Sequence, residues 1–140
     1  MNDNDIITYC KPGLQKKRFQ KLKNGALKIH FEIDLHGKTL AEANDFLDMH
    51  IPSLLEKNCN CGLIIHGKGY NSGPGGPKLK SFVQSYLIEH KDTLGFHSAS
   101  PKDGGTGALY VLFKNNIFFH IPTETPITSE LAFIITNLVL

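Results

Sequence analysis

The stretch that most limits the fold is KIHFEIDLHG, residues 28–37, where Ile29, Phe31, Ile33 and Leu35 alternate with His30, Glu32, Asp34 and His36. Strict alternation at period two describes a strand buried on one face only. Thr39 followed by Glu42 is a capping box, and Leu40, Ala43, Phe46, Leu47, Ile51, Leu54 and Leu55 then recur at helical spacing. Pro52 inside that stripe predicts a kink or break near Asp48 to Ile51, because proline lacks a backbone donor and crowds the preceding turn. Cys61 to His66 reads as a second, fully buried strand. A strand, a helix and a strand in this order make a right-handed parallel crossover, which places both strand ends at one edge of a sheet.

The same reading carries the chain further. Pro77 opens a helix whose inner face is Leu79, Phe82, Val83, Tyr86 and Leu87, ending near Gly95. A short strand over about Gly95 to Ala99 leads through PKDGGTG into the strand ALYVLFK, residues 108–114. Upstream, residues 1–11 read as disordered, and Pro12 starts a helix that runs to about Asn24 with Gly25 as its stop. The expected architecture is α/β: a two-layer βαβαββ domain with a four-stranded mixed sheet, preceded by a basic N-terminal helix. In domain terms, residues 1–28 form an arm, 29–114 the domain and 115–140 an apolar C-terminal extension.

Composition narrows the class. The 140 residues, 41% hydrophobic and 20% charged, suit one globular core. The start MNDNDIITYC is unlike a signal peptide, and prolines interrupt the apolar tail, so no membrane span is expected and the location is read as cytoplasmic. Cys10, Cys59 and Cys61 have neither disulfide parity nor zinc-ligand spacing. The net charge of +2 is unevenly spread: seven of the 15 basic residues, Lys16, Lys17 and Arg18 among them, lie in residues 11–28 with no acidic residue. A basic arm on a body with more acidic than basic residues suits a polyanionic partner.

Two strand ends and one turn then carry the candidate chemistry. Asp34 and His36 are two apart on one face, so the carboxylate can orient the imidazole or hold a cation, and the histidine can pass a proton near neutral pH. His66 ends the next strand, and Gly67, Lys68 and Gly69 form a loop whose amides and ammonium can meet an anion. Gly104, Gly105, Thr106 and Gly107 make a second such turn with a hydroxyl. Neither loop has the spacing of a phosphate-binding P-loop or a dinucleotide fingerprint, so no nucleotide cofactor is expected. Magnesium remains open, because it binds through one or two carboxylates plus substrate phosphates.

DLHG at 34–37, HGKG at 66–69 and GGTGALYVL at 104–112, in that order and spacing, resemble an Smr (small MutS-related) domain over residues 33–114. The segment PGLQKKRFQKLKNGALKIHFEIDLHG is also similar to the upstream part of stand-alone proteobacterial Smr proteins. The resemblance implies a nucleic-acid endonuclease fold, laid out like the carboxy-terminal domain of a translation initiation factor. Members are described as DNA-nicking endonucleases or as RNases, one bacterial branch cutting mRNA at collided ribosomes. Carried over by position, Asp34 and His36 are the catalytic motif and His66 to Gly69 the substrate loop. The expected partners are RNA or DNA and the ribosome. The expected activity is phosphodiester cleavage, with RNA favoured, His66 assisting at the leaving oxygen, and a non-catalytic nucleic-acid-binding or ribosome-binding module as the alternative.

Overall fold

The structure is a computed structural model and describes residues 1–69 and 78–115. The start of the third helix at Pro77 and the tail beyond Asn115 lie outside the described residues. The elements are β1 (Thr8–Cys10), α1 (Lys16–Lys23), β2 (Phe31–Asp34), α2 (Leu40–Glu56), β3 (Cys61–Ile65), α3 (Lys78–Glu89), β4 (Thr93–Ser98) and β5 (Ala108–Phe113). Two 3-10 turns, Pro101–Asp103 and Gly105–Gly107, join β4 to β5.

The sheet is mixed, in the order β1-β4-β5-β3-β2. Strands β2 and β3 are parallel and the other neighbours antiparallel, so β4 runs in the same sense as β2 and β3. The carboxyl ends of β2, β3 and β4 and the amino end of β5 therefore share one rim. All six residues of β5 are buried because both its faces are covered. Leu109, Val111 and Phe113 join the core under α2 and α3, while Ala108, Tyr110 and Leu112 pack with Leu22 of α1 on the other side. On edge strand β2, Phe31 and Ile33 enter the α2 and α3 core, leaving Glu32 and Asp34 exposed on the α1 side of the sheet. Gly62 lets the Phe31 ring lie across β3, since a Cβ there would come within 2.3 Å of it.

Four expectations change. The sheet has five strands rather than four, because residues 8–10, expected to be disordered, pair with β4. What holds them is buried: Ile7 is 3% exposed, its amide donates to Ser98 Oγ (2.9 Å), and Tyr9 stacks on Phe96. Lys80 of α3, with no exposed surface, donates to the carbonyl oxygens of Asn2, Asp3 and Asp5, so the polar start of the chain solvates a buried ammonium. The basic helix begins at Lys16 rather than Pro12, because Gly13 takes a left-handed φ of 100° and Leu14 closes a turn onto Lys11. Helix α2 is not broken by Pro52. The carbonyl that loses its donor belongs to Asp48, an exposed residue, so no unpaired acceptor is enclosed in the core, and the Asp48 carboxylate accepts from Tyr86 of α3 at 2.6 Å. Finally, α3 ends at Glu89 and β4 starts at Thr93, a few residues earlier than expected. No helix among the described residues is long and apolar enough to cross a membrane.

Candidate nucleic-acid site

At the end of β2, Asp34 Oδ1 accepts both the His36 amide (3.1 Å) and the His36 ring nitrogen Nδ1 (2.6 Å). The two side chains are 49% and 69% exposed. The ring bond above all holds the Asp34 carboxyl below its usual range; desolvation opposes it, and the His36 amide and the nearby His36 and Lys38 charges add to the lowering. The carboxylate is therefore ionised near neutral pH and can only accept, which assigns a proton to Nδ1 and leaves Nε2 as the outer ring nitrogen.

The end of β3 is built differently. The register pairs Asp34 with Ile65, and the Leu35 amide bonds the Ile65 carbonyl at 2.7 Å. One step on, buried Leu35 lies beside His66 and exposed His36 beside Gly67. A Cβ on Gly67 would sit 3.4 Å from His36 Cβ. His66 is 3% exposed, with Nδ1 against the Gly67 carbonyl (2.7 Å) and Nε2 without a partner among the described residues. Burial, reinforced by the Lys80 charge and opposed by the Gly67 bond, lowers its pKa to about 4. The ring expected at the reacting phosphate is thus enclosed on the helix side of the sheet.

The glycine turn before β5 meets this loop directly. The Gly107 carbonyl accepts the amides of His66 (3.0 Å) and Gly67 (2.9 Å), and a Cβ on Gly107 would lie 3.0 Å from Lys68 Cγ. Gly104 and Gly105 both take left-handed φ values, 114° and 57°, and Thr106 is half-buried between them and the strand. Gly69 is described at φ 71°, beyond which the loop passes out of the described residues. The two strand ends expected at one edge do lie there, and the Gly104–Gly107 turn joins them.

Helix α1 packs on the Asp34 side of the sheet and exposes Lys16, Lys17, Arg18 and Lys21. A groove of about 290 Å3 is lined by Gln15, Lys17, Arg18, Lys21 and Leu27. Sequence reading missed the contact that fixes the glycine turn. The Tyr110 hydroxyl donates to Asp103 Oδ2 (2.5 Å), accepts the Ser100 amide (3.3 Å) and bonds Ser100 Oγ (2.8 Å). A single hydroxyl-bearing side chain on an otherwise apolar strand was the available signal. Among the described residues no three His, Cys, Asp or Glu side chains cluster as a metal site.

The domain is thus a mixed α/β sheet with a carboxylate-held imidazole and two glycine turns at one rim and a basic helix on the Asp34 side. The sequence profile described as the Smr domain matches residues 33–114, and the chain belongs to that family. It is 29% identical to ribosome rescue factor SmrB of Tolumonas auensis over 117 residues, covering 84% of this chain and 64% of that one. To SmrB of Aliivibrio salmonicida it is 30% identical over 114 residues, 81% of this chain and 61% of the relative. The chain thus spans less than two thirds of these relatives' length. Its fold matches the crystal structure of YdaL, a stand-alone small MutS-related protein from Escherichia coli, with a TM-score of 0.70 and 26% identity over 81% of this chain and 87% of that one. It also matches the Smr domain of Thermus thermophilus MutS2, with a TM-score of 0.50 and 28% identity over 59% and 96% of the two chains.

Proposed function

We propose that this domain cleaves phosphodiester bonds of RNA, with ribosome-bound mRNA as the favoured substrate. The observation that carries the reading is the 2.6 Å bond from His36 Nδ1 to an ionised Asp34, which leaves an exposed imidazole lone pair beside two glycine turns. His36 Nε2 takes the proton from a ribose 2′-hydroxyl. The 2′-oxygen attacks the adjacent phosphorus, the bond to the 5′-oxygen breaks, and that oxygen takes a proton from water, giving a 2′,3′-cyclic phosphate and a 5′-hydroxyl. Asp34 keeps the ring in the active tautomer and stabilises the imidazolium that forms. Lys68 and the loop amides bind the phosphate, and Lys16, Lys17 and Arg18 extend the contact along the backbone on the same side of the sheet. The SmrB relatives' description as ribosome rescue factors supports the ribosome as the setting.

A magnesium ion would be held by the remaining oxygen of Asp34 and the substrate phosphates, where it would neutralise charge. The test is cleavage of matched RNA and DNA, with magnesium and with chelator, and of an RNA carrying one 2′-deoxy position. The expected outcome is cleavage of RNA only, blocked at the deoxy position. Cutting at that position would overturn the 2′-hydroxyl route. Binding without cleavage under every metal condition would leave a non-catalytic module.

A further inference from the structure

The His66 ring is a buried titratable group at the rim for which this mechanism has no use. Its bonds specify a task. Nδ1 lies 2.7 Å from the Gly67 carbonyl oxygen, so that nitrogen must carry the proton, since two lone pairs would otherwise face each other. A ring with one N–H to give, held neutral by burial, gives it to that carbonyl. The Gly67 amide is fixed at the same time by the Gly107 carbonyl, 2.9 Å away. Both sides of Gly67 are therefore clamped, at a φ of 84° that favours glycine.

The consequence follows from peptide geometry. No cis peptide is present among the described residues, so the Gly67–Lys68 unit is trans and planar, with its C=O and N–H pointing in opposite directions. The carbonyl is turned to a ring on the helix side of the sheet. The Lys68 N–H is therefore turned away from that ring, and the residue before it stands beside His36, whose Cβ would lie 3.4 Å from a Cβ on Gly67. Among the described residues the Lys68 amide has no acceptor. Gly107 leaves space beside it, because a Cβ there would stand 3.5 Å from the Lys68 nitrogen.

We propose that His66 is a positioning residue which, as a neutral donor to the Gly67 carbonyl, aims the Lys68 backbone N–H at a substrate phosphate oxygen next to His36. This deepens the proposed cleavage reaction and rests on it for its catalytic consequence. The Lys68 side chain and amide then act together, the ammonium as a charge and the N–H as a directed donor. Removing one preorganised donor from a charged oxygen slows comparable reactions about 10²- to 10³-fold, and a loosened rather than deleted donor loses less.

Two substitutions separate positioning from proton transfer. In His66→Asn the side-chain amide nitrogen falls near the place of Nδ1 and still donates to the Gly67 carbonyl, whereas His66→Leu fills the space without a donor. The expected result is that H66N cleaves within about fivefold of wild type and H66L about 10- to 100-fold more slowly. Equal losses in both variants, with the alkaline limb of the pH profile gone, would show His66 to be a general acid and overturn the proposal. The second readout is the 15N-labelled Lys68 amide signal, titrated with a non-cleavable 2′-deoxy oligonucleotide. A downfield shift is expected in wild type and H66N and a much smaller one in H66L. An unmoved Lys68 signal in wild type would also overturn it. His36→Ala should keep the amide shift while losing cleavage, so a cutting H36A protein would count against the base and leave the clamp standing.

Discussion

Two neighbouring strands end in His-Gly, and the fold gives the two dipeptides opposite environments. The His36 side chain is 69% exposed, whereas His66 is 3% exposed. The cause is register. Asp34 pairs with Ile65, so the first histidine stands one residue beyond the level of the second, and successive strand residues point to opposite faces. In one case a carboxylate accepts the Nδ1–H bond and Nε2 looks outward; in the other a backbone carbonyl accepts it and Nε2 looks into the protein. Residue type alone does not assign a catalytic role; what holds the other ring nitrogen, and on which face, does.

The comparison breaks most sharply at His36. His36→Ala should slow single-turnover cleavage about 10²- to 10⁴-fold, the usual worth of a general base, with little change in melting temperature because the side chain is exposed. Asp34→Asn, which keeps an acceptor for Nδ1 but loses the charge, should fall between that variant and wild type. If H36A cut normally and H66L did not, the roles of the two ends would be interchanged.

Stability against pH separates the same two histidines. The pKa of folded His66, about 4, lies below the 6.5 of the free side chain, so between these values the unfolded chain binds a proton that the folded chain excludes. Stability is then full above 6.5 and falls as the pH drops towards 4, by about 3 kcal/mol at most. The Lys80 ammonium faces the ring and acts in the same direction. Burial also lowers His90, which adds to the acid loss in every variant. Urea melts at about pH 7 and about pH 4.5 should therefore show a smaller acid loss in H66N than in wild type. Equal losses would mean that His66 is solvated in the folded state.

How much of this could be read in advance depended on how many faces of a strand are covered. Strand β2 lies at an edge with one covered face, so Phe31, Ile33 and Leu35 alternate with polar residues, and the outward direction of Asp34 is legible in the sequence. Strand β3 lies between neighbours with both faces covered, and CGLII shows no alternation from which to tell which way His66 points. That DLHG and HGKG share one edge was legible because a strand–helix–strand crossover fixes it, whereas the place of the third turn hung on the polarity of β4. Strand β1 was not legible, since what orders it lies far along the chain: pairing with β4, the Ser98 hydroxyl that accepts the Ile7 amide, and the Phe96 ring under Tyr9. The start of α1 was misplaced because Pro12 is a good first-turn residue, while the left-handed Gly13 behind it reads equally well as helix or turn.

The smallest expected effect sharpens the comparison from outside the site. Tyr110 on β5 fixes the glycine turn through Asp103 and Ser100, and that turn supplies the Gly107 carbonyl, which holds the β3 end and makes no hydrogen bond to the β2 end. Tyr110→Phe should cost about 1 to 2 kcal/mol, because Asp103 and Ser100 are only partly buried and can turn to water. The loss should be felt on one side of the pair alone. Hydrogen exchange at the Gly67 amide should speed up as its bond to Gly107 loosens, while the His36 Nδ1 proton, held by Asp34, keeps its signal. Cleavage should fall only a fewfold, through weaker phosphate binding rather than through the base. A variant in which both strand ends loosened together would show that the rim moves as one unit, and the separate tasks assigned to the two histidines would no longer follow from register.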